Sequence, residues 1–122
     1  MQVRTVRIQG RSFAECAAEF KQLASDQTAD LAFCFGNEKA IGQLNEHKDL
    51  SQIAKNWLAG TSCLSCADQD GINNKAIHNA TLLLITDSKG HYGVGSAELV
   101  GDIKQQAAAA LQRAMNVAGK SH

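Results

Sequence analysis

The sequence predicts an α/β fold: a single mixed β-sheet in the order β-α-β-α-β-β-β-α, with helices packed against the sheet. Three observations carry that expectation. Short apolar runs bounded by turn residues recur at 31–35, 57–59 and 80–86. Stretches with apolar residues at helical spacing alternate with them. The chain has 122 residues, 44% hydrophobic and 20% charged, with no proline, so it can bury one core and has no linker-like break in composition. A single domain over 1–122 is expected.

Met1 to Gln9 alternates Val3, Thr5, Arg7 and Gln9 with Arg4, Val6 and Ile8, a period-two pattern that suits a first strand at or near a sheet edge. Gly10 ends it. Ser12 and Glu15 form a capping box, and Phe13, Cys16, Ala17, Phe20, Leu23 and Ala24 recur at helical spacing, which predicts an amphipathic first helix. Leu31 to Phe35, between Asp30 and Gly36-Asn37, is wholly apolar and reads as a second strand covered on both faces. Ile41 and Leu44, then Leu50, Ile53 and Ala54 after a second capping box at Asp49 and Gln52, predict a patchy helical stretch. Trp57-Leu58-Ala59 is the third strand, and the polar stretch Ala67 to Asn74 reads as a loop. Ala80 to Thr86, the turn Asp87-Ser88-Lys89-Gly90 with a positive φ at Gly90, and Tyr92 to Leu99 predict a β-hairpin. Asp102 caps a last helix, with Gln105 at the capping-box position and an apolar face of Ile103, Ala107, Ala110, Leu111, Ala114 and Val117 that ends at Gly119. Helical crossovers make the first three strands parallel, and the hairpin adds antiparallel pairing.

Composition also narrows function. Twelve basic residues balance twelve acidic ones and neither sign forms a run, so no nucleic-acid partner is expected. The longest apolar run, Leu82-Leu83-Leu84-Ile85, is far short of the roughly 20 residues of a membrane span, and no membrane association is expected. Met1 to Gln9 lacks the apolar stretch of a secretory signal, which points to the cytoplasm and to reduced thiols. The sequence contains no acid/base pair, triad, phosphate loop or dinucleotide fingerprint, and binding rather than catalysis is the expected activity.

Four stretches have a further bearing on function: Gly10-Arg11-Ser12-Phe13, Asp30 to Gly36, Gly60-Thr61-Ser62-Cys63, and Gly93-Val94-Gly95-Ser96-Ala97. Together, and in this order over nearly the whole chain, they resemble the N-terminal domain of FIST sensory proteins. The third looks like that family's Gly-Cys-Ser/Thr-Thr-Ala-Gly turn, with Gly60 and Ser62 in register and Leu64, Ser65 and Cys66 replacing its small residues. The resemblance implies a sensory domain that binds a small molecule and passes the signal to a protein partner or a second FIST-type domain. It implies haem only for those members that respond to nitric oxide; the residues themselves name no cofactor. No stretch after Gly119 resembles the second FIST domain, so a stand-alone version, half of a split system or a fragment is expected. Surface left open in this way could also serve a homodimer.

The expected ligand site is the rim at the C-terminal ends of strands two and three, where open α/β sheets bind ligands. It contains Gly36, Asn37, Gly60, Ser62, Cys63 and Cys66. Cys63 and Cys66 also support a rival reading, a thiol-redox enzyme with Cys63 as nucleophile and Cys66 as resolving thiol. Asp68 and Asp70 oppose it, because nearby negative charge raises a thiol pKa. A zinc or iron-sulfur site would start from Cys63 and Cys66, half of the pairs a zinc ribbon needs, with only Cys34 on the adjacent strand and distant Cys16 left to add; His78 is weighed as a haem ligand against a plain strand-entry residue, and no metal site is expected. Cys16 and Cys34 read as small core residues. In the expected hairpin, His78 and His91 lie about 20 Å or more apart, too far to share an ion. His47 and His122 read as solvated. Gly93, Gly95 and Ala97 clear one face for the alanine-rich helix, with a ligand cradle as the alternative. A third reading is a structural partner subunit with no ligand.

Overall fold

A computed structural model describes residues 1–9, 27–46, 50–61, 66–68, 71–73 and 79–120. The expected first helix and Cys16 lie outside the described residues. The chain divides into two compact units, Met1–Asp87 and Ser88–His122.

The first unit holds β1 (Gln2–Gln9), β2 (Ala29–Gly36), α1 (Glu38–Glu46), α2 (Leu50–Ile53), β3 (Ala54–Thr61), β4 (Cys66–Asp68), β5 (Gly71–Asn73) and β6 (Asn79–Thr86). Four of these strands form a mixed sheet in the order β1-β6-β2-β3. β6 is antiparallel to both neighbours, while β2 and β3 are parallel. The first three strands therefore run in one direction, as crossovers require, and β1 is the outermost strand on its side. The stretch expected as a loop contains a short antiparallel ribbon instead, β4 with β5, in which Cys66 faces Asn73.

One face of the sheet is closed. Val6, Ala32, Cys34, Ala80, Leu82 and Leu84 pack with Ala40 and Leu44 of α1 and Ile53 of α2, all of them buried. The register explains the grouping, since Val6, Leu82 and Cys34 lie in one row across three strands and project to the same side. Removing this apolar area from water is the main stabilising term. Trp57 closes the margin of the cluster half-buried, and its indole N–H lies 3.1 Å from both the Leu50 and the Ala54 carbonyls, so the polar atom of the ring is satisfied. Cys34 is 1% exposed and acts as a core residue, as its strand position predicts.

Among the described residues the opposite face of β2 is less covered than the sequence predicts. Leu31 and Phe33 are half-buried and Phe35 is 47% exposed, because both described helices of this unit pack with the other face.

Asp30 fastens the far end of the sheet. Its carboxylate accepts from Lys55 Nζ at 2.6 Å and from the Asp87 amide at 2.7 Å, joining β2 to β3 and to the end of β6. The Asn56 side chain donates to the Asp30 carbonyl at 3.0 Å. The hydrogen bond from Lys55, then that from the Asp87 amide, holds the Asp30 carboxyl below the usual aspartate range. A carboxyl whose folded pKa is lowered stabilises the fold above its unfolded pKa, and that stabilisation is lost as pH falls through the folded value. Urea midpoints should therefore fall on acidification below about pH 4. In Asp30→Asn the same titration should be flatter, and an identical acid limb would remove this role from Asp30.

The second unit corrects the hairpin. β6 has β1 on one side and β2 on the other, so it has no open edge for Tyr92 to Leu99, and residues 90–100 form no strand. They run along α3 (Ile103–Val117) instead. A Cβ on Gly93 would lie 1.9 Å from the Ala114 carbonyl oxygen, and one on Gly95 would lie 2.0 Å from that of Ala110. Two extended residues advance about 6.6 Å and one helical turn of four residues about 6 Å, so alternate glycines meet successive turns. Arg113 Nη1 donates to the Ser96 carbonyl and Gln106 Nε2 to that of Val100, holding the segment in place.

Asp102 caps α3 as expected, accepting from the Lys104 amide at 2.9 Å. At the other end Gly119 has φ +69°, with Gly119 N–H on the Asn116 carbonyl and Lys120 N–H on that of Met115, a Schellman closure. Positive φ falls at Gly101 and Gly119 among the described glycines, and not at Gly90. Ile103, Leu111 and Val117 on the apolar stripe of α3 stay largely exposed.

Candidate functional site

β2 and β3 end level with one another. Phe35 is in register with Gly60 and Gly36 with Thr61, so the two parallel strands finish side by side. Gly36 is buried and also faces Ala80 of β6. Of the expected rim residues, the structure brings together Gly36, Asn37 and Gly60. Ser62 and Cys63 lie outside the described residues, as do His47, His78 and His122. Cys66 opens β4, which pairs with β5 and otherwise lies nearest β6 and β1, so its backbone is placed toward the other side of the sheet from β3.

Asn37 has a structural duty. Its Oδ1 accepts from the Ala40 amide at 3.0 Å and its carbonyl from the Ile41 amide at 3.0 Å, making it the N-cap of α1. A helix thus starts directly from the rim. The Glu38 carboxylate in the first turn makes this helix start less favourable for an anion than a neutral first turn would be.

Gly60 is in contact with an aromatic side chain. A Cβ there would lie 3.2 Å from Phe35 Cε1 and 3.3 Å from Cδ1, so the absence of a side chain lets the ring lie over the β3 backbone. Gly60 is legible in the sequence as a rim residue, whereas Phe35 and Thr61 are not. Their signal was parity: strands that end level place Phe35 over a glycine, which is visible only once the register is known.

A third residue that the sequence did not mark is Thr81, which shares a row with Arg7 on one side and Phe35 on the other. Its Oγ1 is buried and has no hydrogen-bond partner among the described residues. A buried hydroxyl left unpaired costs about 1–3 kcal/mol of desolvation, which an isosteric methyl group avoids. Thr81→Val should therefore match or exceed the wild-type protein in urea denaturation, and a loss above about 1 kcal/mol would mean that the hydroxyl has a partner.

Among the described residues no group of three His, Cys, Asp or Glu side chains is placed to hold a metal ion. His91 is exposed in the second unit. Gly93 and Gly95, weighed in the sequence as packing residues or as a ligand cradle, have their open side filled by the α3 backbone. No helix among the described residues is long and apolar enough to cross a membrane. No protein-family model, curated protein or solved structure matches the chain.

Proposed function

We propose that the chain is a small-ligand-binding sensory module of the FIST type, in which the rim at the ends of β2 and β3 receives the ligand. The observation that supports this reading most is the level ending of two adjacent parallel strands at Gly36 and Thr61, followed at once by a helix N-terminus at Asn37. Open α/β sheets place ligands outside the carboxyl ends of their strands, where loops rather than ladders meet the solvent. Phe35 offers an apolar ring laid over Gly60, and Thr61 a hydroxyl beside it. Such a set suits a small, largely uncharged molecule held by stacking and main-chain hydrogen bonds. The signal then passes to a protein partner through α1, which starts at the rim and packs directly on the core.

The test is thermal denaturation of the purified chain with haem and with panels of nucleotides, amino acids and other metabolites. A ligand at about 100 times its Kd adds about 2.7 kcal/mol, or about 10 °C or more in Tm for a unit of this size. The shift should shrink in Thr61→Ala and in Gly60→Val, where the new side chain crowds Phe35. A flat response across haem and every panel would remove the sensory reading. A Soret band that appears with haem and persists unchanged in both rim variants would place the site elsewhere.

A further inference from the structure

β3 pairs with β2 on one side, and among the described residues no strand lies on its other side. Sheets usually protect such an edge with charge, proline, a bulge or short length, because its backbone groups are ready to pair with another strand. β3 has eight residues, no proline, and no charged residue after Lys55. Its ladder with β2 continues without a bulge from Leu31–Asn56 to Gly36–Thr61. The opposite edge differs, since β1 carries Arg4 and Arg7. The last part of β3 also presents apolar surface: Leu58 is 43% exposed, and Phe35, beside it on the same face, is 47% exposed.

We propose that the Leu58–Thr61 edge of β3 pairs antiparallel with the same edge of a second copy of this chain, about a two-fold axis within Leu58–Gly60. The two four-stranded sheets would then continue as one. The geometry favours a copy over an unrelated strand for three reasons. An antiparallel two-fold pair keeps the same face of each sheet on the same side, so the two exposed Leu58 side chains come together near the axis, with a Phe35 one strand in from each. The two Lys55 side chains fall at opposite ends of the new ladder, which avoids like charges facing each other. The formal net charge is +0 at pH 7, so no overall repulsion opposes self-association. This inference does not depend on the ligand reading.

Sedimentation velocity on the full chain over a wide concentration range should give a species of twice 13.0 kDa. Leu58→Lys and, separately, Thr61→Lys should raise the dimer Kd by about tenfold or more, because each puts on the pairing edge the kind of charge that keeps sheet edges from pairing. Val3→Lys, on the exposed outer β1 strand, should leave it unchanged. Amides of Leu58–Thr61 in the wild-type chain should gain hydrogen-exchange protection as concentration rises, a readout that requires no variant to fold. Circular dichroism identifies any unfolded variant, and the other lysine variant and the exchange data then decide. A wild-type chain that sediments as a monomer throughout, a dimer insensitive to both lysines, or a dimer broken by Val3→Lys would overturn the proposal.

Discussion

Gly95→Ala is expected to release the 90–100 segment from α3 and with it most of the helix. The added methyl would lie 2.0 Å from the Ala110 carbonyl oxygen and 2.6 Å from the Ala114 nitrogen. Both are backbone atoms, so no side-chain rotation relieves the overlap. Overpacking that displaces backbone costs about 1–3 kcal/mol or more, and here the strain falls on a small unit with few apolar contacts to offset it. No residue of α3 is buried, and an isolated helix of this length is marginal in water. Without the glycine contacts, the Arg113 and Gln106 hydrogen bonds to the segment are lost as well. The far-UV helical signal should fall and the amides of Ile103–Val117 should exchange close to unprotected rates. Gly42→Ala is the matching control. It sits in α1 with nothing within 4 Å of the new methyl and should be neutral or slightly stabilising. Wild-type protection of α3 in Gly95→Ala would mean that the segment does not pack where the structure places it.

The same glycines illustrate what could be read from the sequence and what could not. Their period-two spacing ahead of an alanine-rich helix is a local pattern, and it predicts close backbone packing whatever the surrounding fold. Strand partnership is not local. Ala80 to Thr86 and Tyr92 to Leu99, flanking a turn sequence, satisfy every local condition for a hairpin. The pairing fails because β1 and β2 already take both edges of β6. The caps at Asp102 and Gly119 were legible for the same reason the glycine pattern was, since each acts within one turn of its helix. At the rim, strand order and parallel direction followed from the helical crossover. The role of Asn37 as a cap, and the contact between Phe35 and Gly60, required the register. β4 and β5 were hidden in a polar stretch because ribbons of three residues a side carry too few positions for a periodic signal.

Leu82→Ala is expected to be among the most damaging single truncations in the first unit. Leu82 is fully buried, in the row of Val6 and Cys34 and at the centre of the closed face. Emptying such a site costs about 2–5 kcal/mol, the lost transfer free energy plus a cavity that neighbours on a hydrogen-bonded ladder cannot fill. Domains hold about 5–15 kcal/mol in total, so the urea midpoint should drop by about a third with little change in slope. The comparison that gives the result meaning is Leu83→Ala, one residue along on the half-buried face. It removes the same atoms from a place where water already reaches them and should cost less than half as much. Equal losses at the two positions would show that the open face is closed in solution, and the core assignment would fail. Neither truncation touches the rim directly. Below the midpoint of each variant, the affinity for any ligand held at Gly60 and Thr61 should therefore match the wild-type value, while the folded fraction alone changes.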